Sequence, residues 1–316
     1  MVVIVALVMP FIFKDVYHRH LFVLAGIFAV FALSLDITLG YLGELSLGHA
    51  AFFGLGAYCS TLLALHFHLP FWVTFPISGV FTGMMGFLIG LPSFRVRGPF
   101  FAIVTLGFAI IIHLIVNNWI SLTRGPMGIT KIPPPALAIP YFSKFAFTTE
   151  LSYYYLILAI LFFSIYLTRK LINSRTGRAI LAIRENESLA LSLGIKVYYF
   201  KVLAFSLGTM LAGIAGSAYA HYFRIVTPDL VGVYYMVNVL IMVIVGGMGS
   251  IGGAISGALI FTIVPEILRI VKELRLVIFG VILLASIVYL PEGVIRGLET
   301  LVVQMFRRKS IEGRNC

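Results

Sequence analysis

Apolar runs, many of them near the length of about 20 residues that crosses a bilayer, follow one another along this chain, separated by short polar stretches. The segments are Met1–Phe13, Leu21–Leu39, Leu45–Phe67, Phe71–Leu91, Pro99–Asn118, Leu151–Thr168, Val202–Phe223, Gly232–Val245, Gly253–Ile270 and Leu276–Leu290. The pattern predicts an all-α polytopic membrane protein with about ten transmembrane helices, residues 1–316 forming a single transmembrane domain. Met1–Phe13 is short, without a basic start or a clear cleavage site, so a short first span is expected there rather than a signal peptide. The eighth and ninth segments are joined by Gly246-Gly247-Met248-Gly249-Ser250-Ile251-Gly252-Gly253, whose glycines permit a tight turn. Each polar stretch is about 35 residues or shorter, below the usual size of a domain, so no soluble domain is expected.

Charge orients the segments. Residues 169–201 carry Arg169, Lys170, Arg175, Arg178, Arg184, Lys196 and Lys201 against Glu185 and Glu187. Residues 119–150 are as long and carry only Arg124, Lys131 and Lys144. Basic loops stay on the cytoplasmic side, so 169–201 is expected inside and 119–150 outside. Arg95, Arg97 and the basic tail then fall inside, and ten spans leave both termini in the cytoplasm. The outer stretch contains Pro133-Pro134-Pro135, which favours stiff extended backbone.

Composition removes several classes of function. The chain is 60% hydrophobic and 11% charged, whereas a soluble domain carries about 25% charged residues. The net charge of +11 would suggest nucleic acid in a soluble protein; here the basic residues flank membrane helices, so no nucleic-acid partner is expected. Cys59 and Cys316 form neither a disulfide framework nor a metal-ligand spacing. There is no phosphate-binding loop, no His-Glu-x-x-His and no Gly-x-Ser-x-Gly, so ATP is not bound by that route and no catalytic constellation stands out. No catalytic residue, metal or cofactor is expected on this chain.

Two stretches carry candidate chemistry. Gly40–Tyr58 holds glycines at 40, 43, 48, 54 and 56 among Glu44, Ser46, His49 and Phe52. Small residues let membrane helices pack closely. The same glycines suit an interrupted helix lining a pathway, where Glu44, Ser46 and His49 would partner freed backbone groups. Asp36 and Glu44 are costly in hydrocarbon. They fit either the watery cytoplasmic interface or a proton or ion relay. The second stretch, Gly177–Ile195, has no single clean apolar stripe. Ala182, Leu189, Ala190 and Leu193 nevertheless allow a short amphipathic helix that ends at Gly194. Such a helix could lie on the membrane or dock into a groove of a soluble partner.

Together these stretches resemble the permease subunits of branched-chain amino acid ATP-binding-cassette importers. The resemblance covers nearly the whole length. It continues through Arg95–Gly107, Thr123-Arg124-Gly125-Pro126-Met127-Gly128-Ile129, Ala212-Gly213-Ile214-Ala215-Gly216, the glycine turn at 246–253 and Leu290-Pro291-Glu292-Gly293. Asp36 and Glu44 stand where the family usually has uncharged amides. The resemblance implies alternating access in a bacterial or archaeal plasma membrane, the inner membrane of a two-membrane cell. It implies a second homologous permease subunit, two cytoplasmic ATPase subunits that use the ATP, and a periplasmic or lipid-anchored substrate-binding protein. Glu44, Ser46, His49 and Phe52 would then belong to the substrate pathway. Gly177, Arg178, Arg184, Glu185, Glu187, Ala190 and Gly194 would form the ATPase coupling loop, Glu187-Ser188-Leu189-Ala190 with Gly194 being nearest to the family's Glu-Ala-Ala…Gly pattern. The alternative is an ion-coupled secondary carrier, for which an internal inverted repeat and an ion site at mid-membrane would be expected. No convincing repeat is present.

Overall fold

A backbone inside hydrocarbon must satisfy its own hydrogen bonds, and a helix does so within one segment. The computed structural model describes residues 7, 9–10, 15–96, 100–137, 145–147 and 149–267, and its apolar segments there are largely helical. Helix α1, Val16–Asp36, continues into a π-turn, Ile37–Tyr41. The chain is then irregular until α2, His49–His66. Helices α3, Phe71–Ser93, and α4, Phe100–Asn118, follow. After the short α5, Ile120–Thr123, come α6, Glu150–Ile172, α7, Arg175–Glu185, and α8, Glu187–Ser192. The long α9, Val197–Phe223, precedes α10, Val233–Gly246, and α11, Ile251–Ile267. Among the described residues, five stretches are long and apolar enough to cross a membrane: Val16–Tyr41, Phe71–Ser93, Phe100–Asn118, Glu150–Ile172 and Val197–Phe223. The second to ninth predicted segments all fall on helices. The tenth, the basic tail and Leu290–Gly293 lie outside the described residues, as does most of the first.

The helices run up and down, so their connections gather at two ends. At one end Tyr198 at the start of α9 donates to the Leu91 carbonyl late in α3, at 2.5 Å. Residues 37–48, α7, α8 and the glycine turn meet at this end. At the other, His221 near the end of α9 meets Pro133, and the Trp72 indole donates to the Ala136 carbonyl at 3.1 Å. The basic stretch 169–201 and the proline-rich stretch 119–150 therefore sit at opposite ends. The latter is not purely irregular. Strand β1, Ile129–Thr130, pairs antiparallel with β4, Ile225–Val226, and β2, Ala136–Leu137, with β3, Phe145–Ala146. Among the described residues there is no soluble domain.

Helix α9 forms the centre and packs against α1, α2 and α3. Its small residues permit this crowding. A methyl on Gly56 would come within 2.3 Å of the Gly213 carbonyl oxygen, and one on Gly216 within 1.8 Å of that of Phe53. One cluster of polar groups enclosed by this packing is bonded together. His221 Nδ1 lies 2.9 Å from the Pro133 carbonyl and its Nε2 2.9 Å from Ser60 Oγ. Ser217 donates to Ser60 at 2.8 Å. A protonated Nδ1 donating to Pro133 leaves Nε2 to accept from Ser60, which ties α2, α9 and the proline stretch together.

Candidate functional site

The stretch Gly177–Ile195 forms two helices where the sequence suggests one. Each has its own cap: Ser174 Oγ accepts the Gly177 N–H at 3.2 Å, and Asn186 Oδ1 accepts that of Leu189 at 3.0 Å. Asn186 is extended (φ −159°, ψ 106°), so the helix breaks there. This explains the irregular stripe. Gly177, Ile180 and Ile183 form a clean buried stripe on α7, while Leu191 belongs to a helix with a different heading. Gly194 closes α8 with φ +81°: its N–H donates to the Leu191 carbonyl at 3.0 Å and that of Ile195 to Ala190 at 3.1 Å. This is the left-handed glycine C-cap expected from sequence.

Helix α8 stands clear of the body. Ala190 is its buried residue, whereas Leu189, Leu191 and Leu193 are 58%, 63% and 72% exposed. At about 100° per residue, Leu189 and Leu193 fall on one side of the helix axis and Leu191 on roughly the opposite side. A helix lying flat on a membrane needs one apolar face and one polar face. Leucines on opposite sides instead suit insertion into a concave socket. Arg178, Glu185 and Glu187 are also exposed, so these leucines have charged neighbours.

The predicted interruption in Gly40–Tyr58 is present, and it lies directly beneath this helix pair. Gly43, with φ +83°, passes Arg184, whose Cγ would be 3.1 Å from a methyl on the glycine. Glu44 turns to Lys201 at the start of α9: Oε1 accepts from Nζ at 2.6 Å, and the same Nζ reaches Glu187 Oε2 at 2.8 Å. Lys201 entered the sequence reasoning only as an orienting charge. Its pairing joins residues 157 and 14 positions apart, which no local pattern encodes. Asp36 does not meet water at an interface. It is fully buried, and its Oδ1 accepts the Gly249 N–H at 2.8 Å. The reason is the glycine turn itself, which folds over the end of α1; a methyl on Gly40 would strike Gly249 N at 2.2 Å.

The remaining pathway candidates separate from Glu44. His49 and Phe52 are fully buried on α2 and pack edge-on against Phe205 of α9 with centroids 6.4 and 5.5 Å away. His49 Nε2 lies 3.1 Å from Ser34 Oγ. Ser46 is also buried; its Oγ and His49 Nδ1 have no hydrogen-bond partner among the described residues. Enclosed polar atoms in that condition are uncommon and tend to mark a site of function or of ordered water. Of the whole stretch, Leu47 reaches a cavity of about 410 Å³ that also meets Leu106, His113, Val231 and Met236. Its lining is nearly all aliphatic and offers little to an ammonium or a carboxylate.

Packed apolar helices, a broken first helix and a capped helix pair standing off one end define a multi-pass membrane protein. The chain belongs to the family described as branched-chain amino acid transport system, permease component, whose pattern matches residues 19–287. Among its relatives, the high-affinity branched-chain amino acid transport system permease protein LivM of Escherichia coli K12 is 31% identical over 290 residues, covering 86% of this chain and 68% of that protein. The probable branched-chain amino acid transport permease protein LivM of Methanocaldococcus jannaschii is 24% identical, over 85% of this chain and 90% of that protein. The permease LivH of Escherichia coli K12 is 23% identical, over 86% and 92% respectively. No solved structure matches the chain.

Proposed function

We propose that this chain is one of two homologous permease subunits of an ATP-driven importer that carries branched-chain amino acids across the plasma membrane, the inner membrane in a two-membrane cell, by alternating access. The observation that carries this reading is the apolar, capped helix α8 set directly over the break between α1 and α2, in a chain of this family. Two cytoplasmic ATPase subunits bind and hydrolyse the ATP, one of them holding α8 in its socket. A binding protein outside the membrane delivers the substrate to the opposite end. The relatives named LivM and LivH, both similar to this chain, support pairing with a second permease. The chain crosses the membrane ten times, with both termini and residues 169–201 in the cytoplasm and 119–150 outside. The excess of basic charge in 169–201 supports that orientation.

In this reading Gly177, Arg178, Arg184, Glu185, Glu187, Ala190 and Gly194 form the coupling surface. Ser46 and His49 supply polar atoms to the substrate path, with Phe52 behind them, and Glu44 marks its cytoplasmic edge. The test is reconstitution with the second permease, the ATPases and the binding protein in vesicles. Leucine, isoleucine or valine should accumulate only with ATP and the binding protein. Uptake driven by an ion gradient without ATP would sink the proposal.

A further inference from the structure

Three parts of the chain that are remote in sequence meet at one ammonium group. Lys201 Nζ lies 2.6 Å from Glu44 Oε1 and 2.8 Å from Glu187 Oε2. The side chains of Lys201 and Glu44 are 11% and 19% exposed, so water screens their pairing little; that of Glu187 is 53% exposed. Glu187 is the first residue of α8, directly after the Asn186 break. Glu44 lies in the irregular stretch between α1 and α2, and its N–H donates to the Thr38 carbonyl at 2.9 Å. Lys201 sits in the second turn of the central helix α9. The two acids carry like charge and share one cation. Without that cation they would repel each other, and Glu44 would keep a partly enclosed charge with its partner removed.

We propose that Lys201 is a positioning residue for transport: it fastens helix α8 to the stretch between α1 and α2, so that displacement of α8 moves that stretch. This rests on the proposed docking of α8 to an ATPase. The break at Asn186 lets α8 swing relative to α7, and the ion pair converts the swing into a pull on Glu44. Arg184, packed against Gly43 from the end of α7, gives the neighbouring residue a support on the other side of the break. The stretch is therefore held from α7 by packing and from α8 by charge, and only the second link crosses the break.

Two measurements on the full-length protein test this. In the purified permease, hydrogen exchange at the Glu44 amide should speed up by about tenfold in Lys201→Met, because a charge-assisted anchor has gone. Lys201→Arg, which keeps both pairs, should exchange as the parent does. In the reconstituted transporter, Lys201→Met should lower substrate carried per ATP hydrolysed by about tenfold while ATP hydrolysis continues. Glu187→Gln, at a half-exposed position, should lower the same ratio, and adding it to Lys201→Met should cost little more. If Lys201→Met fails to assemble, Glu187→Gln and the exchange measurement decide. An unchanged ratio in Glu187→Gln, or unchanged exchange in Lys201→Met, overturns the proposal. Absence of ATP-driven uptake in the parent would overturn the importer reading instead, and the exchange measurement would still report whether Lys201 holds the stretch.

Discussion

Glu44 and His49 are five residues apart, yet they do different work. Glu44 is committed to Lys201, whereas His49 is walled in by Phe31, Phe52 and Phe205. Ser46 and His49 are therefore the informative positions for the path. If they meet substrate, Ser46→Ala and His49→Ala should each cut uptake by about tenfold, on the order of 1.4 kcal/mol, without loss of assembled complex. Normal uptake in both would leave them a packing role. Gly48 is the internal control. A side chain there would strike the Thr105 carbonyl at 2.2 Å, so Gly48→Leu should lower the yield of folded complex whatever the path. At the far end, His221→Ala should leave the Pro133 carbonyl and Ser60 without their enclosed partner. The cost is about 1–3 kcal/mol and would be read as a lower melting temperature in detergent.

At the scale of the element, Gly194 offers a clean perturbation. Its φ is +81°, and nothing lies within 4 Å of the place a side chain would take. Gly194→Val would thus act through backbone strain alone, by about 1–2 kcal/mol or more for a β-branched residue. The expected result is intact assembly with impaired transport and impaired substrate-stimulated ATP hydrolysis. Intact transport would remove α8 from the coupling role. Orientation is testable at exposed positions on the two ends. With Cys59 and Cys316 replaced by serine, Met127→Cys should react with an impermeant thiol reagent in intact cells, and Ser188→Cys should not. The reverse labelling would invert the topology.

Across the whole molecule, the elements that could be read from sequence were those set by local composition. Among the described residues, the apolar runs became helices because hydrocarbon leaves their backbone no other partner, and the glycines at 246–253 turned because two of them adopt positive φ. Asn186 was missed: it is a good cap followed by an acid in the first turn, but the apolar residues on both sides concealed the break. Lys201 and Asp36 were not legible. A charge near a helix end usually meets water, and only the packing of α9 and of the glycine turn puts these two under cover. The path suffered likewise: its polar residues are adjacent in sequence, but folding sends Glu44 to one neighbour and His49 to another.

Helix α8 has six residues and holds to the body through Ala190 and one ion pair. Its leucines are exposed on opposite sides whenever no partner is present. On the proposed function, a newly made subunit that has not yet met its ATPase would therefore display the kind of short, apolar, loosely held segment that chaperones grip and proteases cut. Limited proteolysis of the lone permease should nick first near Asn186–Gly194, and complex formation should protect that bond. The cell would then have a way to clear unassembled copies, because the surface that reports assembly is also the surface that decides survival.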